Sequence, residues 1–348
     1  MRISRDDLDW VARQGVISPE QAAATWHALE TRDASRARAR FDVAHIAWYG
    51  GALIVIGAMG LFITEAWSVF GGGALVAIAL AYGAGFAALG HHLWHRRQLR
   101  IPGGLMITVA VTMTPLAVFG VQDALGWWRG GDPGAYRDFY IWVRGGWLFM
   151  ELATIAVGLI ALRFYRFAFL SMPVAVALWF LSMDLTPWLF GAADFTFDQC
   201  AIVSLWFGLA MLIVAWGIDL KAWADLAFWL HLFGLLAFWG GLSMLESDSE
   251  LARAGYALIN LGLLAVSAFL GRPVYAVFGT LGITGYLGYL ASEVFAASLL
   301  FPFALSAVGV AVVVFGVYWY RSRAAIDRWI ADHVPSGLRA LRPPHANG

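Results

Sequence analysis

The chain has 348 residues, 61% of them hydrophobic and 13% charged, with a formal net charge of zero and a mean hydropathy of +0.70. A soluble globule is about half apolar and a quarter charged, so most of this surface is written for lipid, and the balanced charge excludes an extended nucleic-acid footprint. The single cysteine, Cys200, excludes an intrachain disulfide and a thiolate metal cage.

The first forty residues are polar and charged and contain no apolar signal-peptide core. The first apolar span is therefore expected to act as an uncleaved anchor. Residues 1–33 read as a helical hairpin. Ser4 followed by Asp7 is a candidate capping box, and the first helix should end near Gly15. Ser18-Pro19-Glu20-Gln21 is a stronger start signal, with an N-cap serine, proline at N1 and glutamine at N3. Leu8, Val11, Ile17, Ala22, Trp26 and Leu29 can share a small apolar face. A basic linker with Arg36, Arg38 and Arg40 follows, and the domains are expected at 1–40 (head and linker), 41–320 (membrane bundle) and 321–348 (tail).

Ten apolar segments of about twenty residues come next, each enough to cross ~30 Å of hydrocarbon. They lie near 43–64, 72–93, 101–122, 144–163, 167–189, 199–218, 224–245, 252–271, 273–292 and 299–320. With a cytoplasmic N-terminus, Arg129, Arg137, Arg144 and Arg253 face outside and the other nineteen of the 23 Lys and Arg residues face inside. That is the split the positive-inside rule favours. The expected fold class is all-α: a polytopic α-helical membrane protein of about ten transmembrane helices with both termini cytoplasmic. The 18 tryptophans suit two interfacial belts, and the aromatic loop with Trp127, Trp128, Tyr136, Tyr140 and Trp142 reads as part of such a belt in preference to a lid over an external cavity. The tail begins as a basic amphipathic helix for the inner leaflet and ends in RPPHANG, expected to be disordered.

Gly15-Val16-Ile17-Ser18-Pro19-Glu20-Gln21-Ala22, then Tyr49-Gly50-Gly51-Ala52-Leu53 and Trp67, form a pattern over about residues 1–95. It resembles the bacterial predicted-membrane-protein family called domain of unknown function 2157. The resemblance implies a protein of the bacterial cytoplasmic (inner) membrane with a cytoplasmic head. It brings no activity, substrate or catalytic residue.

Glu151 is the most telling residue, about two turns into the fourth span. A carboxylate there must be paired, protonated or wetted, so it is either a proton or cation site or an interhelical hydrogen-bonding group. Arg144, seven residues earlier, shares its helix face. His231 and Asn260 are further intramembrane polar groups, either interhelical links or parts of a substrate pathway with Glu151. Asp184 is expected near the outer end of its span, within reach of water, and His45 near an interface. His91, His92 and His95 offer two imidazoles on one helix face, a spacing a metal could use. The stripes Gly73, Ala77, Ala81, Gly85 and Gly279, Gly282, Gly285, Gly288 suggest close helix packing.

No phosphate loop, dinucleotide fingerprint, zinc-protease motif or nucleophile elbow is present. Catalytic residues and cofactors are therefore not assigned. The expected partners are the lipid bilayer and a protein at the cytoplasmic head. Three functions stay open: permeation of an ion or small solute, a structural, sensory or regulatory role through the head, and a membrane-embedded enzyme on a lipid or isoprenoid substrate.

Overall fold

A computed structural model describes residues 5–35, 43–66, 71–127, 147–190, 196–221, 224–245 and 249–294, with scattered positions from 302 to 343. Among the described residues there are helices and no strand. The chain divides into two units, Met1–Ile54 and Val55–Gly348.

In the first unit, α1 (Arg5–Arg13) and α2 (Pro19–Ser35) pack on each other as a hairpin. Gly15 takes the left-handed conformation at φ +74°, where a side chain would be strained, and its N–H caps the Ala12 carbonyl at 3.0 Å. The expected capping box is in place: Ser18 N–H donates to Gln21 Oε1 at 2.9 Å, and Gln21 N–H donates to Ser18 Oγ at 3.1 Å. Ala22 is buried between the helices, with Leu8, Val11, Ile17 and Trp26 half-buried. Ser4 lies outside the described residues.

The helices that follow are α3 (Val43–Ala66), α4 (Gly72–His91), α5 (Arg100–Thr112), α6 (Thr114–Leu125), α7 (Leu148–Phe164), α8 (Ser171–Phe190), α9 (Phe197–Leu220), α10 (Ala224–Met244), α11 (Glu250–Leu270) and α12 (Pro273–Val294). Nine of the ten expected segments thus coincide with helix. The tenth, 299–320, lies outside the described residues except at scattered positions, as do the loop from 128 to 146 and the side chain of His45. Among the described residues, seven helical stretches are long and apolar enough to cross a membrane: Gly72–Arg96, Arg100–Leu125, Ala168–Thr186, Phe197–Leu220, Leu226–Met244, Leu251–Leu270 and Pro273–Glu293. Helix α7, with 17 residues, covers only about 26 Å at the usual rise.

Two departures from regular helix have local causes. The third span is broken at Met113 because Pro115 lacks an N–H and its ring crowds the Val111 carbonyl. The end of α4 loosens into a π-turn over His92–Arg96. Pro173, by contrast, stands at the third position of α8, where its missing N–H breaks no intrahelical bond.

Neighbouring helices pack in chain order: α4 against α5 and α6, these against α7, α7 against α8, α8 against α9 and α10, and α12 against α10 and α11. Leu212, Leu235, Leu263, Tyr275 and Phe278 knit α9 to α12. The α4 glycine stripe is corrected by its burial. Gly73, Ala77, Ala81 and Gly85 are all exposed, and the packed seam runs through Gly72, Leu75, Ala79 and Gly90 instead. A one-residue offset turns the helix face by about 100°. A Cβ on Gly72 would come within 2.4 Å of the Gly120 carbonyl, and one on Gly90 within 2.9 Å of that of Gly103.

Candidate functional site

Glu151 lies in the first turn of α7, not two turns in, because this helix starts at Leu148. Its side chain points into the contact of α7 with its neighbours: the residue is 5% exposed, and neither carboxyl oxygen has a hydrogen-bond partner among the described residues. Asp184, from the antiparallel helix α8, lies close enough to act on Glu151 electrostatically. It too is buried, at 6%. This corrects the expectation that water reaches it: α8 packs against α7 there, with Glu151 and Trp147 beside the Asp184 carboxyl group. The Trp147 backbone N–H donates to the Asp184 carboxyl group, while Asp184 Oδ2 is left without a partner.

Gln122 on α6 and Thr186 on α8 are buried polar residues at the same ends of these helices. Buried polar atoms are nearly always hydrogen-bonded, and each exception calls for a reason. Three buried carboxyl oxygens without a hydrogen bond, both of Glu151 and Oδ2 of Asp184, make this the chemically least satisfied part of the described interior.

The second polar cluster is the opposite case. Asp219 ends α9, His231 lies two turns into α10, Arg272 joins α11 to α12, and Tyr275 opens α12. Arg272 donates to Asp219 through Nη2 (2.6 Å to Oδ1) and Nε (3.1 Å to Oδ2). His231 Nε2 lies 2.9 Å from Asp219 Oδ2 and Nδ1 lies 2.8 Å from the Tyr275 hydroxyl. A carboxylate only accepts, so the proton sits on Nε2, and in the neutral ring Tyr275 donates to Nδ1. Asp219 and His231 are wholly buried. The carboxylate is balanced by the guanidinium and every member of the chain has a partner, so this cluster ties α9, α10 and α12 together. The same end takes up part of the tail: Arg342 Nε donates to the Phe269 carbonyl at 3.1 Å, and Trp216 Nε1 to that of Leu341 at 2.9 Å. Arg342 and Pro343 are buried. The start of the RPPHANG segment is therefore docked where disorder was expected, because Arg342 caps a terminal carbonyl of α11.

Asn260 is a bridge. Its Nδ2 donates to the Tyr256 carbonyl (2.9 Å) and its Oδ1 accepts from Trp239 Nε1 (3.1 Å), across from α11 to α10. Gly282 of α12 makes room for it: a Cβ there would fall 2.0 Å from Asn260 Oδ1. Glu151, His231 and Asn260 each have a separate setting and share no hydrogen bond. Trp239 lies eight residues beyond His231 on α10, about 12 Å along the axis.

His91 and His95 lie with ring centroids 4.3 Å apart at a tilt of 32°, and His91 Nδ1 is 2.8 Å from the Tyr165 hydroxyl, which burial pushes above its ordinary pKa. Trp94 packs edge-on against the same tyrosine. Among the described residues no three His, Cys, Asp or Glu side chains converge as a metal set, the group at His91, His92 and His95 included.

Glu151, His231 and Asn260 are recognisable in the sequence as intramembrane polar groups, whereas Asp219, Arg272 and Tyr275 are not. Asp219 sits two residues before Lys221 at a helix end, and Arg272 in a short turn, so each reads as an ordinary loop charge.

No family model, no curated protein and no solved structure matches the chain.

Proposed function

We propose that this chain is a ten-span membrane protein of the bacterial cytoplasmic membrane, N-terminus inside, that passes a proton or small cation through Glu151 and Asp184. The observation carrying the proposal is the burial of both Glu151 oxygens beside a second carboxyl group, with no hydrogen bond to either. Two carboxyl groups so placed cannot both hold bare charge, and the pair relieves this by taking up a proton or a cation. A purely structural carboxyl would carry hydrogen bonds, as Asp219 does. His231 and Asn260 are interhelical links in this account, with no part in the pathway. The arginine bias between loops supports the orientation. The resemblance of residues 1–95 to domain of unknown function 2157 stands as a proposal on the same terms. Reconstituting the full chain in vesicles with an internal pH dye tests it: an imposed potential should drive proton entry that Glu151→Gln abolishes.

One observation favours a partner-recruiting head as a second role. Trp10 and Val16 are 58% and 73% exposed on the hairpin of α1 and α2. A cross-linking capture from bacterial membranes with and without residues 1–40 tests this, and an unchanged set of captured proteins would remove the second role.

A further inference from the structure

A cavity of about 420 Å³ opens between the end of α10, the start of α11 and the end of α12. Arg253, Tyr256, Tyr286, Tyr289 and Ser243 supply its polar groups, and Leu242, Leu245 and Ile259 its apolar ones. We propose that this cavity binds the headgroup and upper chain of a phospholipid bearing a primary amine, with the phosphate on Arg253. The proposal rests on the membrane reading of these helices and not on the Glu151 pathway.

Depth is the first reason. Arg253 is three residues from the start of α11, about 5 Å along its axis, and Ile259 nine residues, about 14 Å. Arg253 thus stands at the level where a phospholipid's phosphate lies in a membrane interface, and Leu242, Leu245 and Ile259 line the same cavity, a combination that suits an amphiphile over a small hydrated solute. Its volume lies in the range of small-molecule sites, about 300–1,000 Å³.

The polar groups are held in place beforehand. Arg253 Nη1 donates to the Tyr289 hydroxyl and its guanidinium stands over that ring, 4.5 Å from the centroid. Ser243 Oγ and the Tyr256 hydroxyl are 3.0 Å apart. A guanidinium presents a planar fork of donors that matches phosphate oxygens. Glu293, exposed, stands one turn beyond the lining residue Tyr289 on α12. A carboxylate there disfavours a purely anionic headgroup and favours one that pairs its phosphate with an ammonium.

Two walls are glycine. A Cβ on Gly255 or on Gly285 would meet nothing within 4 Å, so larger side chains fit there without displacing protein. They would fill the space the lipid needs.

Native mass spectrometry of the detergent-solubilised full chain decides the matter. Phosphatidylethanolamine, phosphatidylglycerol and soluble glycerophosphoethanolamine are added in separate titrations. Wild type should hold one phosphatidylethanolamine, at least about tenfold more tightly than the other two. Gly285→Phe should weaken it about tenfold or more, and Arg253→Gln likewise. Should Gly285→Phe not fold, Gly255→Leu blocks the other wall and takes its place. Undiminished binding to the filled cavity would overturn the site. Equal retention of phosphatidylglycerol would overturn the amine preference. Equal binding of the soluble headgroup would make the ligand a free phosphoamine and overturn the lipid.

Discussion

Arg272 grips Asp219 with two donors, Nη2 at 2.6 Å and Nε at 3.1 Å, where Asp219 has no exposure at all. The pair joins the end of α9 to the turn between α11 and α12, and His231 and Tyr275 extend it into α10 and α12. Breaking a buried pair by removing one partner is far worse than removing both. Asp219→Ala should therefore lower stability in detergent by about 3–5 kcal/mol. Asp219→Leu combined with Arg272→Met should recover a large part of that loss. Chemical denaturation of the three proteins gives the comparison, and a double variant no better than the single one would contradict the pairing.

Gly282 and Asn260 are fitted to each other. Gly282→Ala puts a methyl group on the Asn260 amide, and overpacking of this kind costs about 1–3 kcal/mol. In an Asn260→Ala background the same substitution should be nearly neutral, since the clashing atoms are gone. A double-mutant cycle on thermal unfolding measures the coupling. Additive effects would mean that Asn260 does not occupy that space.

In the head, Ser18→Ala removes the reciprocal cap of α2 and should destabilise that helix by about 1 kcal/mol. Hydrogen exchange at the amides of residues 20–22 should quicken about fivefold, while α9 to α12 exchange as before. Unchanged protection would show that the cap contributes nothing to the hairpin.

Much of the fold is legible in the sequence, because lipid allows few answers: apolar runs of some twenty residues, punctuated by charge, become helices. The Ser18 cap is legible for the same reason, being a local pattern. What escapes inspection is pairing at a distance. Asp219 and Arg272 are 53 residues apart, and nothing local marks either as buried. Asp184 escapes likewise, since its burial depends on the packing of α8 against α7. The α4 seam is missed by one residue, because small side chains occupy two faces of that helix and only tertiary packing chooses between them.

Glu151→Gln should leave stability unchanged or raise it, because the substitution removes a buried carboxyl group that no hydrogen bond satisfies. Asp219→Asn should lower it sharply, since that carboxylate is fully partnered. Opposite signs for two buried acids, read from melting temperatures in one detergent, would separate a site held open for a ligand from a structural one. A large loss in Glu151→Gln would mean that Glu151 serves the packing.

The most direct test is proton entry into vesicles holding the full chain, driven by a potassium diffusion potential and followed with a trapped pH dye. Wild type should acidify the lumen well above empty vesicles, Asp184→Asn should do so more slowly, and Glu151→Gln should match empty vesicles while melting at the wild-type temperature or above. Proton and alkali-cation entry that is the same for wild type and Glu151→Gln would contradict the account.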